Sequence, residues 1–115
     1  MSDHDDRLPM QQMLEHAREA GEITRGRAPV EIRTNRLLQL AVTHLVLVVG
    51  EAASRVSAAR RARLPEIPWA KAIGTRNFIA HGYDRIDYDV IWATVVDDFP
   101  ALVAALERCL SSESD

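Results

Sequence analysis

Four side chains capable of chemistry fall within eight residues, in the run Arg76-Asn77-Phe78-Ile79-Ala80-His81-Gly82-Tyr83. Arginine is a permanent cation whose planar fork matches a phosphate or a carboxylate. Histidine exchanges a proton near neutral pH, as acid–base work requires. Together they suit a reaction in which a phosphate is held while protons move. The spacing also constrains them. His81 lies five residues after Arg76, about 140° around a helix, so the two do not share one face. They converge only if the helix ends at His81 or if a second copy of the chain supplies one of them. Arg76 falls on the apolar face of its own segment, with Trp69, Ala72, Ile73, Ile79 and Ala80. A buried guanidinium needs a carboxylate, a phosphate or an unclosed cleft. A structural ion pair is therefore a competing reading, with Glu51 as the candidate partner. His81 has one too, as a side chain that satisfies the last carbonyls of a helix. A helix C-terminus favours its charged form and a nearby arginine opposes it, which would keep its proton exchangeable near neutral pH. With 13 arginines and 4 histidines in 115 residues, roughly 0.45 such pairs arise by chance, so Asn77, Gly82-Tyr83 and the helix-end position carry the signal.

Other residues offer less. His44 and Glu51 lie two turns apart on one helix, and no third ligand has metal-binding spacing; a buried hydrogen bond or a seam contact is the expectation for His44, and no metal or cofactor is expected. His4 and His16 have no arrangement that suggests chemistry, and Cys109 reads as a small core residue. There is no phosphate-binding glycine-rich loop and no nucleophile elbow. Arg55, Arg60, Arg61, Arg63, Lys71 and Arg85 could steer a polyanion or form a solvated helix end.

These residues must be positioned by helices. Met10, Met13, Leu14 and Ala17 form one stripe, predicting a first helix over about Leu8 to Ile23, with Asp5 and Asp6 favouring its N-terminal end. Thr24-Arg25-Gly26-Arg27-Ala28-Pro29 is the break. A second helix is expected from near Val30 to about Ala59. Its apolar arc covers well over half the circumference, against ~100° for a one-sided helix. It must be covered on more than one side, inside a four-helix monomer or at a dimer seam. Its remaining strip holds Gln39, Thr43, Gly50 and Ser54. Gly50 costs ~1 kcal/mol in a helix interior, which close approach of another backbone would explain. Arg55, Arg60, Arg61 and Arg63 end this helix, and Leu64-Pro65-Glu66-Ile67-Pro68 is a rigid connector. The third helix is Trp69 to about His81, stopped by Gly82. Tyr83 to Ile86 forms a loop, and Asp87 caps a fourth helix over about Tyr88–Leu110. Its inner face carries Trp92, Val95, Val96, Phe99, Leu102, Val103 and Leu106, and Pro100 predicts a kink.

Composition agrees with an all-α class. The chain has 115 residues, 47% of them apolar, enough for one core; a single domain over 1–115 is expected, with polar tails at about 1–6 and 111–115. Aromatics are 5%, and Gly and Pro number five each, which weighs against a β-sandwich. One cysteine excludes an internal disulfide framework. No run approaches ~18 consecutive apolar residues, and Met1 to Asp6 is acidic, the reverse of a signal peptide. A reducing, cytoplasmic setting away from membranes is the expectation. The formal charge of −3 gives no global attraction to nucleic acid.

The run Arg76-Asn77-x-x-x-His81-x-Tyr83 resembles the signature of HEPN-superfamily ribonucleases of the HepT-like toxin family. Gly50-Glu51-Ala52, Ile67-Pro68-Trp69, Val90-Ile91-Trp92 and Asp98-Phe99-Pro100 match in order and spacing. The resemblance covers nearly the whole chain and is weakest before Leu37. It implies an antiparallel bundle of four main helices that forms a homodimer through its helices, with two motif copies facing one cleft. It also implies a metal-independent endoribonuclease toxin, partnered with an MNT-type nucleotidyltransferase antitoxin. The chemistry suits these residues. RNA is cut by its own 2′-hydroxyl, so the enzyme needs a base, an acid and charge stabilisation but no nucleophile. Two His81 side chains would be base and acid, two Arg76 forks would hold the phosphate, and Asn77 would orient His81 or bind ribose. Tyr83 would accept AMP from the antitoxin, placing negative charge beside Arg76; Tyr88, which lacks the motif context, is its control. Two other readings stay open. One is a relative that binds nucleotide or supports a nucleotidyltransferase without cutting RNA. The other is a structural helical dimer with Arg76 in an ion pair.

Overall fold

The structure, a computed structural model, describes residues 5–81 and 85–113, with His81 and Glu113 described by backbone alone. Every regular element among the described residues is helical. α1 spans Arg7–Thr24, α2 Arg36–Arg55, α3 Ala58–Arg63, α4 Trp69–His81, α5 Tyr88–Ala93 and α6 Phe99–Glu113. The main packing sets α1 on α2, α2 on α4, and α1 on α6. Met10, Met13, Val42, Val46, Val49, Ile91 and Leu106 are fully buried in the shared core. Each such side chain contributes about 1.5–3 kcal/mol by leaving water.

α1 follows the stripe that predicts it, burying Met10, Met13, Leu14, Ala17 and Ala20. Gly26, at φ +76°, turns the chain away in the left-handed region that only glycine enters without strain. The long second helix of the sequence reading is in fact three pieces. Pro29–Arg33 forms a 3₁₀ turn, and Asn35 caps α2 by accepting the Leu38 N–H at 3.0 Å. At the other end Ser57 starts α3 as a separate helix, its hydroxyl accepting the Arg60 N–H at 3.2 Å. Asp6 secures that break by accepting from both the N–H and the hydroxyl of Ser57, at 2.8 and 2.7 Å. Side-chain caps inside an apolar pattern thus override its period.

The fourth segment also differs from its prediction. Asp87 caps α5 as expected, accepting from the Asp89 and Val90 N–H groups. A π-helical turn, Thr94–Asp98, then separates α5 from α6, with the Phe99 N–H reaching back to the Thr94 carbonyl. Pro100 supplies the reason. It has no N–H for the Val96 carbonyl and its ring would collide there, so the turn widens by one residue. The added residue shifts the helical phase, and Val96 lies 45% exposed instead of facing inward. α6 continues through Ser111 and Ser112, into the stretch expected as a tail.

α2 is, among the described residues, the helix long and apolar enough to cross a bilayer by length and composition. Gln39, Thr43, His44 and Glu51 interrupt it, and one side of it is the centre of the core. Its other side is open. The thinnest extent of the chain is 19 Å, about two helix diameters of ~10 Å, so a central helix cannot be wrapped all round. The arc through Leu37, Leu40, His44 and Glu51 faces outward, with Leu37 79% and Leu40 50% exposed.

Candidate active site

The site is built where α4 lies against α2. Arg76 sits on the face that α4 turns toward α2, with Trp69 and Ile79 buried beside it. The close approach that Gly50 invites is made here: a Cβ on Gly50 would meet Arg76 Cβ in hard overlap and the Ala72 carbonyl oxygen at 2.7 Å. Any larger residue at 50 would push α4, and Arg76 with it, away from α2.

Next to Gly50, Glu51 takes the guanidinium. Arg76 Nε donates to Glu51 Oε1, with the two side chains 32% and 41% exposed. A pair this open to water adds only about 0–1 kcal/mol, so its consequence is orientation. Arg76 Nη1 donates to Asn77 Oδ1 at 2.6 Å. Nη2 has no acceptor among the described residues. The fork is held on two sides, through Nε and Nη1.

α4 ends at His81, over the span its sequence predicts. The backbone places His81 at the last helical position, 140° from Arg76 by helical phase. Its side chain, together with Gly82, Tyr83 and Asp84, lies outside the described residues, and so do the expected helix stop at Gly82 and the modification position Tyr83. Tyr88, the control, is half-buried and its hydroxyl accepts from Arg36 at 3.3 Å.

The structure therefore brings Arg76, Asn77 and Glu51 together and sets the three arginines of α3 at the other end of α4 from His81. Arg60, Arg61 and Arg63 lie on α3, whose end is fastened to the start of α4 by the Trp69 indole donating to the Leu64 carbonyl at 3.0 Å. That is the far end of α4, about 18 Å along its axis from His81. Lys71 is engaged with Asp98 at 2.9 Å, and Arg55 donates to Gln12 Oε1 at 2.6 Å. Arg85 is exposed, just after the undescribed residues. His44 is exposed on the open arc of α2, not in a buried hydrogen bond. Cys109 is buried in α6, as a core residue should be. No group of three or more metal-ligating side chains occurs among the described residues.

Two features escaped the sequence reading. Asn77 is the acceptor for Arg76, a neighbour contact that spacing alone does not reveal. Phe78 is 44% exposed, off the face that α4 turns toward α2. Two open clefts lie between α1 and the π turn with α6, around Arg18, Gly21, Arg25, Val95 and Phe99, and neither is lined by Glu51, Arg76 or Asn77.

Comparison with known proteins places this arrangement in a family. The family model described as "Ribonuclease HepT-like" matches residues 13–109. The chain is 30% identical over 107 residues to "Putative RNase MJ1380" of Methanocaldococcus jannaschii, covering 93% of this chain and 98% of that protein. It is 30% identical over 87 residues to "Probable ribonuclease HepT" of Thermococcus cleftensis, covering 76% and 79% respectively. It is also 26% identical over 98 residues to "Putative RNase MJ1216" of M. jannaschii, covering 85% and 81%. No solved structure matches the chain significantly. The match spans the Gly50–Glu51 contact, the Arg76–Asn77 pair and the end of α4, and the chain belongs to the HepT-like ribonuclease family of the HEPN superfamily.

Proposed function

We propose that the protein is a metal-independent endoribonuclease whose active site is completed by a second copy of the chain. The observation that carries this reading is the Arg76 fork, fixed by Glu51 and Asn77 with Nη2 left over, on the helix that ends in His81. The ribose 2′-hydroxyl attacks the adjacent phosphorus. One His81 takes its proton, and the other His81 gives a proton to the departing 5′-oxygen. The two Arg76 side chains hold the phosphate and offset the charge that builds on its oxygens. One chain offers one His81, so the dimer is a condition of catalysis. The open arc of α2 supports this, because it is apolar through Leu37 and Leu40 and leads directly to Glu51. Burying two such arcs against each other would bring two Arg76 forks to one groove.

In this reading the protein acts in the cytoplasm as the toxin of a toxin–antitoxin pair. Its partner is a nucleotidyltransferase of the MNT type, which transfers AMP to the hydroxyl of Tyr83. The added phosphate occupies the free side of Arg76 and silences cleavage. The decisive test is RNA cleavage by purified protein in EDTA. Products ending in 2′,3′-cyclic phosphate, lost in a folded His81→Ala variant, are expected. Undiminished cleavage by that variant would overturn the assignment. Tight nucleotide binding without His81-dependent cleavage would favour a non-catalytic partner of a nucleotidyltransferase.

A further inference from the structure

On α4, helical phase puts Gly74, Asn77, Phe78 and the position of His81 within one arc of about 100°. This arc is opposite the face that packs on α2. Phe78 lies on it with 44% of its surface exposed, while Trp69, Trp92 and Phe99 are each under a tenth exposed. It is the most exposed aromatic side chain among the described residues. Helical side chains lean toward the N-terminus, over the residue four before. For Phe78 that residue is Gly74. A Cβ built at Gly74 meets nothing within 4 Å, so no packing inside the chain requires a glycine there. This contrasts with Gly50, where α4 leaves no room for a side chain. The result is a flat apolar ring beside a bare helical turn, on the same arc as Asn77 and one turn before the end of the helix.

We propose that Phe78 is a substrate-positioning residue that stacks on a nucleobase of single-stranded RNA, with Gly74 leaving the space into which the base fits. The inference rests on the ribonuclease reading above and adds how the strand is held. Arg76 binds phosphate and carries no base information, whereas an aromatic face grips any base.

The test uses the wild-type protein and a short 2′-O-methyl RNA, which lacks the attacking hydroxyl and is not cut, carrying 2-aminopurine as a fluorescent base. Binding should quench the fluorescence through stacking. Phe78→Ala and Phe78→Leu should both lose the quench, and on cleavable RNA both should raise KM by roughly 5- to 100-fold with kcat within about threefold. Phe78→Trp should keep both the quench and the KM. Gly74→Leu, which meets no neighbour and improves helix propensity, should raise KM without lowering the melting temperature. Wild-type KM in Phe78→Leu would overturn the proposal, because leucine fills space but cannot stack. A fall in sedimentation mass for Phe78→Ala would also overturn it, by placing the ring between protein chains. Absence of cleavage by the wild-type protein would instead overturn the ribonuclease reading, a result distinct from either.

Discussion

Arg76 shows how one side chain is made useful by its neighbours. Gly50 lets α4 come close, Glu51 and Asn77 fix two sides of the fork, and in the proposed reading the third takes the phosphate. Lysine at 76 would keep the charge but could not serve three directions in one plane. Arg76→Lys should therefore cut RNA ~10²- to 10³-fold more slowly, as for loss of a preorganised charge-stabilising donor. Its stability should fall by no more than ~1 kcal/mol, because the pair with Glu51 is open to water. Kinetics beside thermal unfolding check both halves; a large stability loss with unchanged cleavage would make Arg76 purely structural. Gly50→Ala should act through packing instead. Overpacking against Ala72 and Arg76 should lower stability by about 1–3 kcal/mol and reduce cleavage as the fork shifts. At this scale the sequence was informative about residue types, because arginine on an apolar face demands an acceptor. It was silent on the Arg76–Asn77 contact, which depends on rotamers rather than on spacing.

The helices were legible wherever one face alone is buried. α1 follows its apolar spacing, and α4 runs over the span predicted for it, although Ala80 of its expected apolar face is exposed near the helix end. The misreadings occurred where single polar residues cut a continuous apolar pattern. Asn35 and Ser57 cap new helices within what reads as one long segment. Pro100 produces a widened turn rather than a simple bend, and that moves Val96 outward. Ties between elements are likewise invisible to periodicity. Arg33 on the 3₁₀ turn grips both oxygens of Asp89 on α5, at 3.0 and 2.9 Å. These hydrogen bonds from Arg33 hold the Asp89 carboxyl below the ordinary carboxylate range. A carboxyl with a lowered folded-state pKa adds stability above its unfolded value, near ~3.9, and loses it as pH falls through the folded value. Asp89→Asn should therefore melt below wild type at neutral pH, with the gap closing under acid conditions. Melting temperature against pH tests this, and a gap that persists at the lowest pH would contradict it. Asp6→Ala should release Ser57 and lower stability by ~1–2 kcal/mol, read by chemical denaturation, without changing cleavage kinetics.

For the molecule as a whole, the decisive fact is that α2 is more apolar than one thin bundle can cover. The breadth of its apolar arc was plain in the sequence; which part stays open was not, because that depends on where α1 and α4 dock. In the proposed dimer, a charge placed on the open arc should separate the subunits. Leu40→Arg should sediment as a monomer, retain its helical circular dichroism and lose cleavage; a monomeric variant with full activity would show that one chain suffices. The sharpest test asks whether two His81 side chains serve one scissile bond. Wild-type protein is mixed with an equal amount of His81→Ala protein and left to exchange subunits, and cleavage is measured in EDTA. If each cut needs a histidine from both chains, only wild-type dimers act, and activity per total protein falls to about a quarter of the pure wild-type value. Activity that falls only to about half would mean that each chain cuts alone, and the shared site would be wrong.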